Sequence, residues 1–317
     1  MAASVDGTLP AAIETRSGIV TAPDPRRPTG QERGAAGNLD LPQFVADRDT
    51  RQPDLVPYED PFSPSTAPFK RLLAFDAVDR AYNLVVNDER VRPVPLRGEL
   101  AADGSEERFY ADLVVELDGR TRSRIPSVAA GARILAASLL AGGRRASFRV
   151  VRDGADNWFV ESDAPLRGRL VMEVAAPRSA FGGELGDPSW TELPAVPPLP
   201  PKVQQAALLV AERIGVVKGQ APREVTSRLV EYFRSFVDSE EPLPSEGNVY
   251  LDLALGKKGV CRHRAFAFVV TALGLGLPAR LVMNEAHAWV EVHDGRMYRR
   301  IDLGGAGRAL RDGLANS

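Results

Sequence analysis

From Ala265 to Leu273 the chain reads Ala-Phe-Ala-Phe-Val-Val-Thr-Ala-Leu, apolar nearly all the way round a helix. A helix with no polar face cannot lie on a surface, so it folds only where other elements enclose it, at the centre of a domain. Gly274, Gly276 and Pro278 end it. Whatever surrounds it must come from the flanking sequence, and the flanks supply candidates. Upstream, Val203, Ala207, Val210, Ala211 and Ile214 share one helical face. Val225, Leu229, Phe233, Phe236 and Val237 share another, on a helix starting just after Pro222. Downstream, Ala279–Asn284, His287–His293 and Arg296–Leu303 read as strands, the last two joined by a hairpin at Asp294-Gly295. Residues 202–317 are thus expected to form an α+β domain.

The N-terminal part has a different texture. Residues 1–68 hold 10 of the 25 prolines and no sustained apolar period, which predicts an unstructured tail. Over 69–180, short apolar runs alternate with turn residues: Arg71–Val78, Tyr82–Val86, Phe109–Leu117, Ala146–Arg152, Trp158–Glu161 and Arg169–Val174. With Asp118-Gly119 and Asp153-Gly154 as hairpin turns, this predicts an antiparallel, sandwich-like β domain. Ala129–Leu140 suits a helix or a strand. Six prolines between Pro188 and Pro201 make residues 181–201 an extended linker.

At 317 residues the chain accommodates two domains, and a net charge of −2 calls for neither nucleic acid nor an anionic membrane as partner. No stretch approaches the roughly 20 apolar residues that span a bilayer. Met-Ala-Ala-Ser-Val-Asp-Gly lacks the pattern of a secretory signal, and the expected compartment is the cytoplasm.

Cys261 is the single cysteine, so no intramolecular disulfide can form. It stands at the start of the enclosed helix, two residues after Gly259. Free amides and the positive end of the helix dipole meet there and favour thiolate over thiol. A lone cysteine is more often a small buried apolar residue. What weighs against that reading is its company, because His263, His287 and His293 all follow within 33 residues. Strand alternation puts His287, Trp289 and Glu291 on one face. If the hairpin is centred on Asp294-Gly295, opposed residues have numbers summing to about 589. Glu291 then faces Tyr298, Trp289 faces Arg300, and His287 faces Asp302, close enough for a carboxylate to bond an imidazole. A thiol, an imidazole and a carboxylate form the set that activates sulfur nucleophiles on unrelated folds. His263, two residues beyond Cys261 on a helix, points away from the sulfur and reads as structural. His293, at the turn, reads as solvated. Trp289 shares the face of His287 and is placed either to pack over it or simply to fill the core.

Gly259-Val260-Cys261 with His263 and Ala265, the helix end Gly276-Leu277-Pro278-Ala279-Arg280, the strand His287-Ala288-Trp289-Val290-Glu291-Val292, and Ile301-Asp302 together resemble the bacterial transglutaminase-like superfamily, over about residues 200–305. The resemblance implies a papain-like core in which the cysteine helix packs on an antiparallel sheet. It also implies Cys261 as nucleophile, His287 as base and Asp302 as its orienter. The oxyanion donor beyond the cysteine's own amide is not evident, with Asn248 and Tyr250 as weak candidates. The expected activity is acyl transfer from a carboxamide or peptide bond of a protein or peptide, ending as hydrolysis, deamidation or amine transfer, with no cofactor or metal. The alternatives are a non-catalytic binding module that retains the fold, and a β domain that binds a protein partner.

Overall fold

The computed structural model describes residues 41–51, 60–66, 69–181, 184–217, 219–241, 243–245 and 247–305, together with the backbone hairpin Ala12–Thr15/Gly18–Thr21. The chain divides into two compact units. One contains Arg90–Ser179 and residues 60–72; the other contains residues 41–51, Leu73–Glu89 and Ala180 onward.

In the first unit, two antiparallel sheets account for the β-rich texture. The larger runs Arg144–Ala146, Arg133–Ala141, Pro165–Pro177, Glu106–Asp118, Phe62–Ser63; the smaller runs Ser123–Ile125, Trp158–Glu161, Arg149–Arg152, Arg92–Pro93. The ambiguous segment is a strand, with Gly142 and Gly143 at positive φ turning the chain into Arg144–Ala146. Asp153-Gly154 opens a hairpin turn as expected, its carboxylate accepting the Ala155 and Asn157 amides. Asp118-Gly119 does not close one: the strand after it, Ser123–Ile125, pairs with Trp158–Glu161 in the other sheet. Asp118 instead accepts the Arg120 and Thr121 amides in a local turn.

The second unit is built around the enclosed helix. Helix α1 (Pro201–Ile214) and helix α2 (Pro222–Arg234) each begin on proline, whose missing N–H costs nothing at that position. A short helix not anticipated from sequence, α3 (Val249–Gly256), is capped by Asn248. Helix α4 (Cys261–Gly274) carries the apolar run. Every residue of α4 from His263 to Gly274 is buried. Gly274 lets α1 come close, because a Cβ there would lie 2.3 Å from that of Ala207. The helical faces expected on α1 and α2 are the buried ones, but α2 ends at Arg234; Phe236 is buried beyond its end and Val237 is exposed.

The accompanying sheet has the order Tyr298–Ile301, Ala288–His293, Ala279–Met283, Leu73–Phe75, all antiparallel. Its fourth strand corrects the expected boundary at residue 69. Leu73, Ala74 and Phe75 are each 1% exposed and pair with Met283, Val282 and Leu281. Without them that buried edge would leave backbone groups unpaired.

The expected unstructured tail, residues 1–68, is also corrected in part. Residues 1–11, 16–17, 22–40, 52–59 and 67–68 lie outside the described residues, but 41–51 and 60–66 are ordered. Phe44 is buried with its ring 5.9 Å from that of Phe266 on α4, and Arg48 pairs with Asp252 on α3 at 2.7 Å. Low apolar content concealed this segment because its attachment is carried mostly by charged and backbone groups. The proline-rich stretch 181–201 is not a bare linker either. It holds a 3₁₀ turn, Trp190–Glu192, and Gly186 and Pro188 pack against Asp294 and Gly295 at the hairpin tip.

Candidate active site

Cys261 is the first residue of α4, and the turn before it is tightly specified. Gly259 has φ 150°, and a Cβ there would fall 2.5 Å from His263 Cβ, so only glycine fits. His263 Nδ1 accepts the Val260 amide at 3.3 Å, and with that nitrogen engaged as acceptor its Nε2 donates to Asp47 at 3.1 Å. His263 therefore faces away from the sulfur, as expected, and holds the residue before the nucleophile position. Asp47, drawn well below the usual carboxylate range against its burial by His263 and Arg262, belongs to the segment expected to be tail.

His287 stands just before the strand Ala288–His293. Asn284 sets it there, its Oδ1 accepting the Ala286 and His287 amides at 3.0 and 2.9 Å. His287 Nε2 lies 2.8 Å from Asp302 Oδ2. Nδ1 is buried without an ordinary hydrogen bond, and it is the nitrogen left to face the Cys261 thiol. Burial pushes the thiol up. The His287 hydrogen bond and charge, the Ala288 amide and the Arg262 charge outweigh burial and bring it below its ordinary value. Burial likewise pushes the imidazole down, and the bonds and charges of Asp302 and Cys261 overcome it and raise His287 to about 9. Asp302, penalised by burial, is held far below the carboxylate range chiefly by His287. The three groups thus favour a thiolate–imidazolium pair backed by a carboxylate.

The register that brought His287 and Asp302 together is not the expected one. Pairing sets Val290 against Ile301, Glu291 against Arg300, and His293 against Tyr298. The turn has four residues rather than two. Asp294 accepts the Arg296 and Met297 amides, its own N–H bonds Met297 O at 3.0 Å, and its carboxylate pairs with Arg299. A two-residue shift preserves side-chain faces, so Asp302 stays on the face of His287 and reaches it diagonally. Glu291, expected opposite Tyr298, lies between Arg280 and Arg300 and is 2% exposed, its carboxylate 3.7 Å from Arg280. His293 is half-buried rather than solvated, accepting the Gly295 amide and meeting Tyr298 edge-on.

Trp289 stacks on His287 with ring centroids 6.1 Å apart, and the Arg300 guanidinium lies over the Trp289 ring, 4.1 Å from its centroid. The indole N–H is buried without a partner. Asn248 and Tyr250, the weak oxyanion candidates, each make a structural bond. Asn248 Oδ1 accepts the Tyr250 and Leu251 amides as a helix cap, and the Tyr250 hydroxyl is spent on Thr271 at 2.7 Å. Two arginines were missed from sequence. Arg264 bonds the carbonyls of Gly259, Phe236 and Leu303, tying the cysteine turn to the residues after Asp302, and Arg234 holds the Asp302 carbonyl at 2.8 Å. Arg264 left a signal: a charge set into a helix otherwise without a polar face must be paired inside. Among the described residues no cluster of His, Cys, Asp and Glu has a metal-site arrangement, and no helix is long and apolar enough to cross a membrane.

The enclosed cysteine helix thus lies in one unit with an antiparallel sheet that is flanked by a His–Asp pair at its edge. Residues 210–303 match the transglutaminase-like superfamily, and this part of the chain is a transglutaminase-like domain. That is a family of cysteine-dependent enzymes whose members can also be non-catalytic. A search of the curated proteins found no match. Among solved structures, the periplasmic domain of TgpA from Pseudomonas aeruginosa bound to ethylmercury is similar at 17% identity and a TM-score of 0.46, over 84% of this chain and 93% of that one. Another structure of the same domain gives 18% and 0.41 over 74% and 81%. A candidate cysteine protease from Cytophaga hutchinsonii gives 15% and 0.38 over 64% and 79%.

Proposed function

We propose that this protein is a thiol acyl-transfer enzyme acting on a carboxamide or peptide bond of a protein or peptide, with Cys261 as nucleophile, His287 as acid–base and Asp302 as orienter. The observation that carries the reading is the coupling of a helix-start thiol to an imidazole whose far nitrogen lies 2.8 Å from a carboxylate. In the first step the Cys261 thiolate attacks the carbonyl carbon and the oxygen takes up the negative charge. Collapse of the adduct breaks the C–N bond as the His287 imidazolium delivers its proton to the departing nitrogen. The products are a thioester and ammonia or an amine. Neutral His287 then takes a proton from water or from a second amine, which attacks the thioester and returns the thiolate. Asp302 keeps the ring in one tautomer and stabilises its charge throughout. Trp289, stacked on His287, limits the water reaching the pair, which bears on the partition between hydrolysis and amine transfer.

Substrate would approach from the side of Asp302, where a cavity of about 780 Å³ is lined by Leu185, Val230, Glu231, Arg234, Arg300 and Asp302.

The test is release of ammonia or amine from a panel of glutamine-containing peptides, with Cys261→Ala and His287→Ala beside wild type. Activity in wild type and its loss in both variants is expected. A wild type inactive across peptide, amide and amine-acceptor panels, although its thiol reacts with an electrophile, would leave a binding module as the better reading.

A further inference from the structure

Cys261 is 5% exposed and His287 4%, so the reacting atoms are enclosed as the chain stands. The enclosure at the cysteine's amide comes from the residues directly after Asp302. Up to Leu303 this segment is anchored. The Asp302 carbonyl accepts from Arg234 Nε and Nη2 at 2.9 and 2.8 Å, and the Leu303 carbonyl accepts from Arg264 Nη1 at 2.8 Å, with Leu303 itself buried. Gly304 donates its N–H to Asp302 Oδ1 at 2.8 Å. Gly305 then crosses the start of α4, and its carbonyl accepts the Cys261 N–H at 3.0 Å.

We propose that Gly304–Gly305 is an autoinhibitory strap whose Gly305 carbonyl occupies the Cys261 amide and which must swing away before the thiol can react. The proposal rests on the acyl-transfer reading, in which an oxyanion forms within reach of the nucleophile's own amide and needs that donor free. A carbonyl already bonded there competes with the substrate's oxygen for it. The local covalent structure suits a gate. Gly304 and Gly305 sit at φ 74° and 77°, a region in which residues with a Cβ are strained, so the pair is a hinge beyond the last anchor. Backbone lies directly on backbone: a Cβ on Gly305 would fall 2.7 Å from Cys261 N and 3.0 Å from Arg264 Nε. One on Gly304 would fall 3.0 Å from Arg264 Nη1. Glycine at 305 is therefore a requirement of the closed state and not of an open one. A methyl group there should shift the balance toward opening, the reverse of the loss that replacing a packed glycine ordinarily brings.

The experiment follows alkylation of Cys261, the single cysteine, by iodoacetamide across a pH series in the full chain, for wild type, Gly305→Ala and Gly304→Ala. The high-pH plateau reads access to the sulfur, and the midpoint reads its ionisation. Folded Gly305→Ala should show a plateau roughly fivefold or more above wild type, as loss of a single closing bond with added strain implies, with Gly304→Ala in the same direction. Amide hydrogen exchange on wild type is the second measurement. If the strap opens locally, the Cys261 amide exchanges far faster than the interior amides of α4, with little dependence on denaturant. Plateaus at or below wild type in folded variants, or a Cys261 amide as protected as the helix interior, would overturn the strap. Faster alkylation in a protein that turns over no peptide would sink the enzymatic reading and leave the strap standing.

Discussion

His287 Nε2 and Asp302 Oδ2 are 2.8 Å apart although the two residues are not opposed across their hairpin. The pairing places Ile301 opposite Val290, so Asp302, just past the end of its strand, falls at Trp289's level and reaches the imidazole on the diagonal. The Asp302 backbone is fixed there by Arg234 on its carbonyl. Its carboxylate can therefore orient the ring without a strand pair behind it.

Asp302→Asn should lower turnover by about 10³-fold or more, because an amide neither stabilises the imidazolium nor selects its tautomer as a carboxylate does. Its melting temperature should fall only modestly at neutral pH, since the bond to the imidazolium is lost but Asn is isosteric and can still accept the Gly304 amide. Steady-state release of ammonia or amine beside a thermal melt checks both halves. Near-normal turnover would remove Asp302 from the site.

Because the thiol is lowered and the imidazole raised to about 9, the pair titrates as a unit and is zwitterionic between its two ionisations. Alkylation of Cys261 should persist below the ordinary thiol range near ~8.5. Turnover should fall on the alkaline side around pH 9, as the proton needed by the leaving nitrogen is lost.

The stability consequence of the same pair has two opposing parts. His287, raised, stabilises the fold below the ordinary imidazole range, and that contribution is lost as pH rises through about 9. Cys261, lowered, contributes in the opposite sense, its stabilisation being present at high pH and lost as pH falls through its folded value. The two offset each other near neutrality, so wild-type stability should change little there. Cys261→Ala removes the opposing part and should become less stable as pH rises from about 6.5, a slope that denaturant midpoints at several pH values would reveal.

Glu291→Gln should act on stability rather than chemistry. The carboxylate is buried between arginines, and neutralising one member of such a group costs about 1–3 kcal/mol. Urea unfolding should show that loss, while the alkylation rate and midpoint of Cys261 stay unchanged. A stability-neutral variant would contradict the burial.

Asp47→Asn tests the attachment of the N-terminal segment. Asp47 is held below its ordinary value, so its contribution is present above the unfolded carboxylate range and is lost as pH falls through its folded value. The side chain is half exposed, so the bond to His263 should be worth about 1 kcal/mol at neutral pH. The variant should melt lower at neutral pH, and the difference from wild type should shrink on acidification.

The sequence by itself determined those features that depend on neighbours along the chain. The apolar circumference from Ala265 to Leu273 required an enclosed helix, Gly259 and Val260 placed Cys261 at its start, and alternation put His287 and Trp289 on a common face. Face survived even where register did not, because side-chain direction has period two and the hairpin slipped by two. Tertiary structure alone decided what depends on distant partners. The turn length was set by Asp294, which binds Arg299 as well as the turn amides. Leu73–Phe75 joined the C-terminal sheet because a buried strand edge there needed pairing, and no local pattern distinguishes one sheet's strand from another's. Asp47 met His263 across 216 positions of sequence, and the carbonyl of Gly305 met the amide of Cys261. Such contacts between single polar groups carry no periodicity, so they become visible only once the backbone has been folded around them.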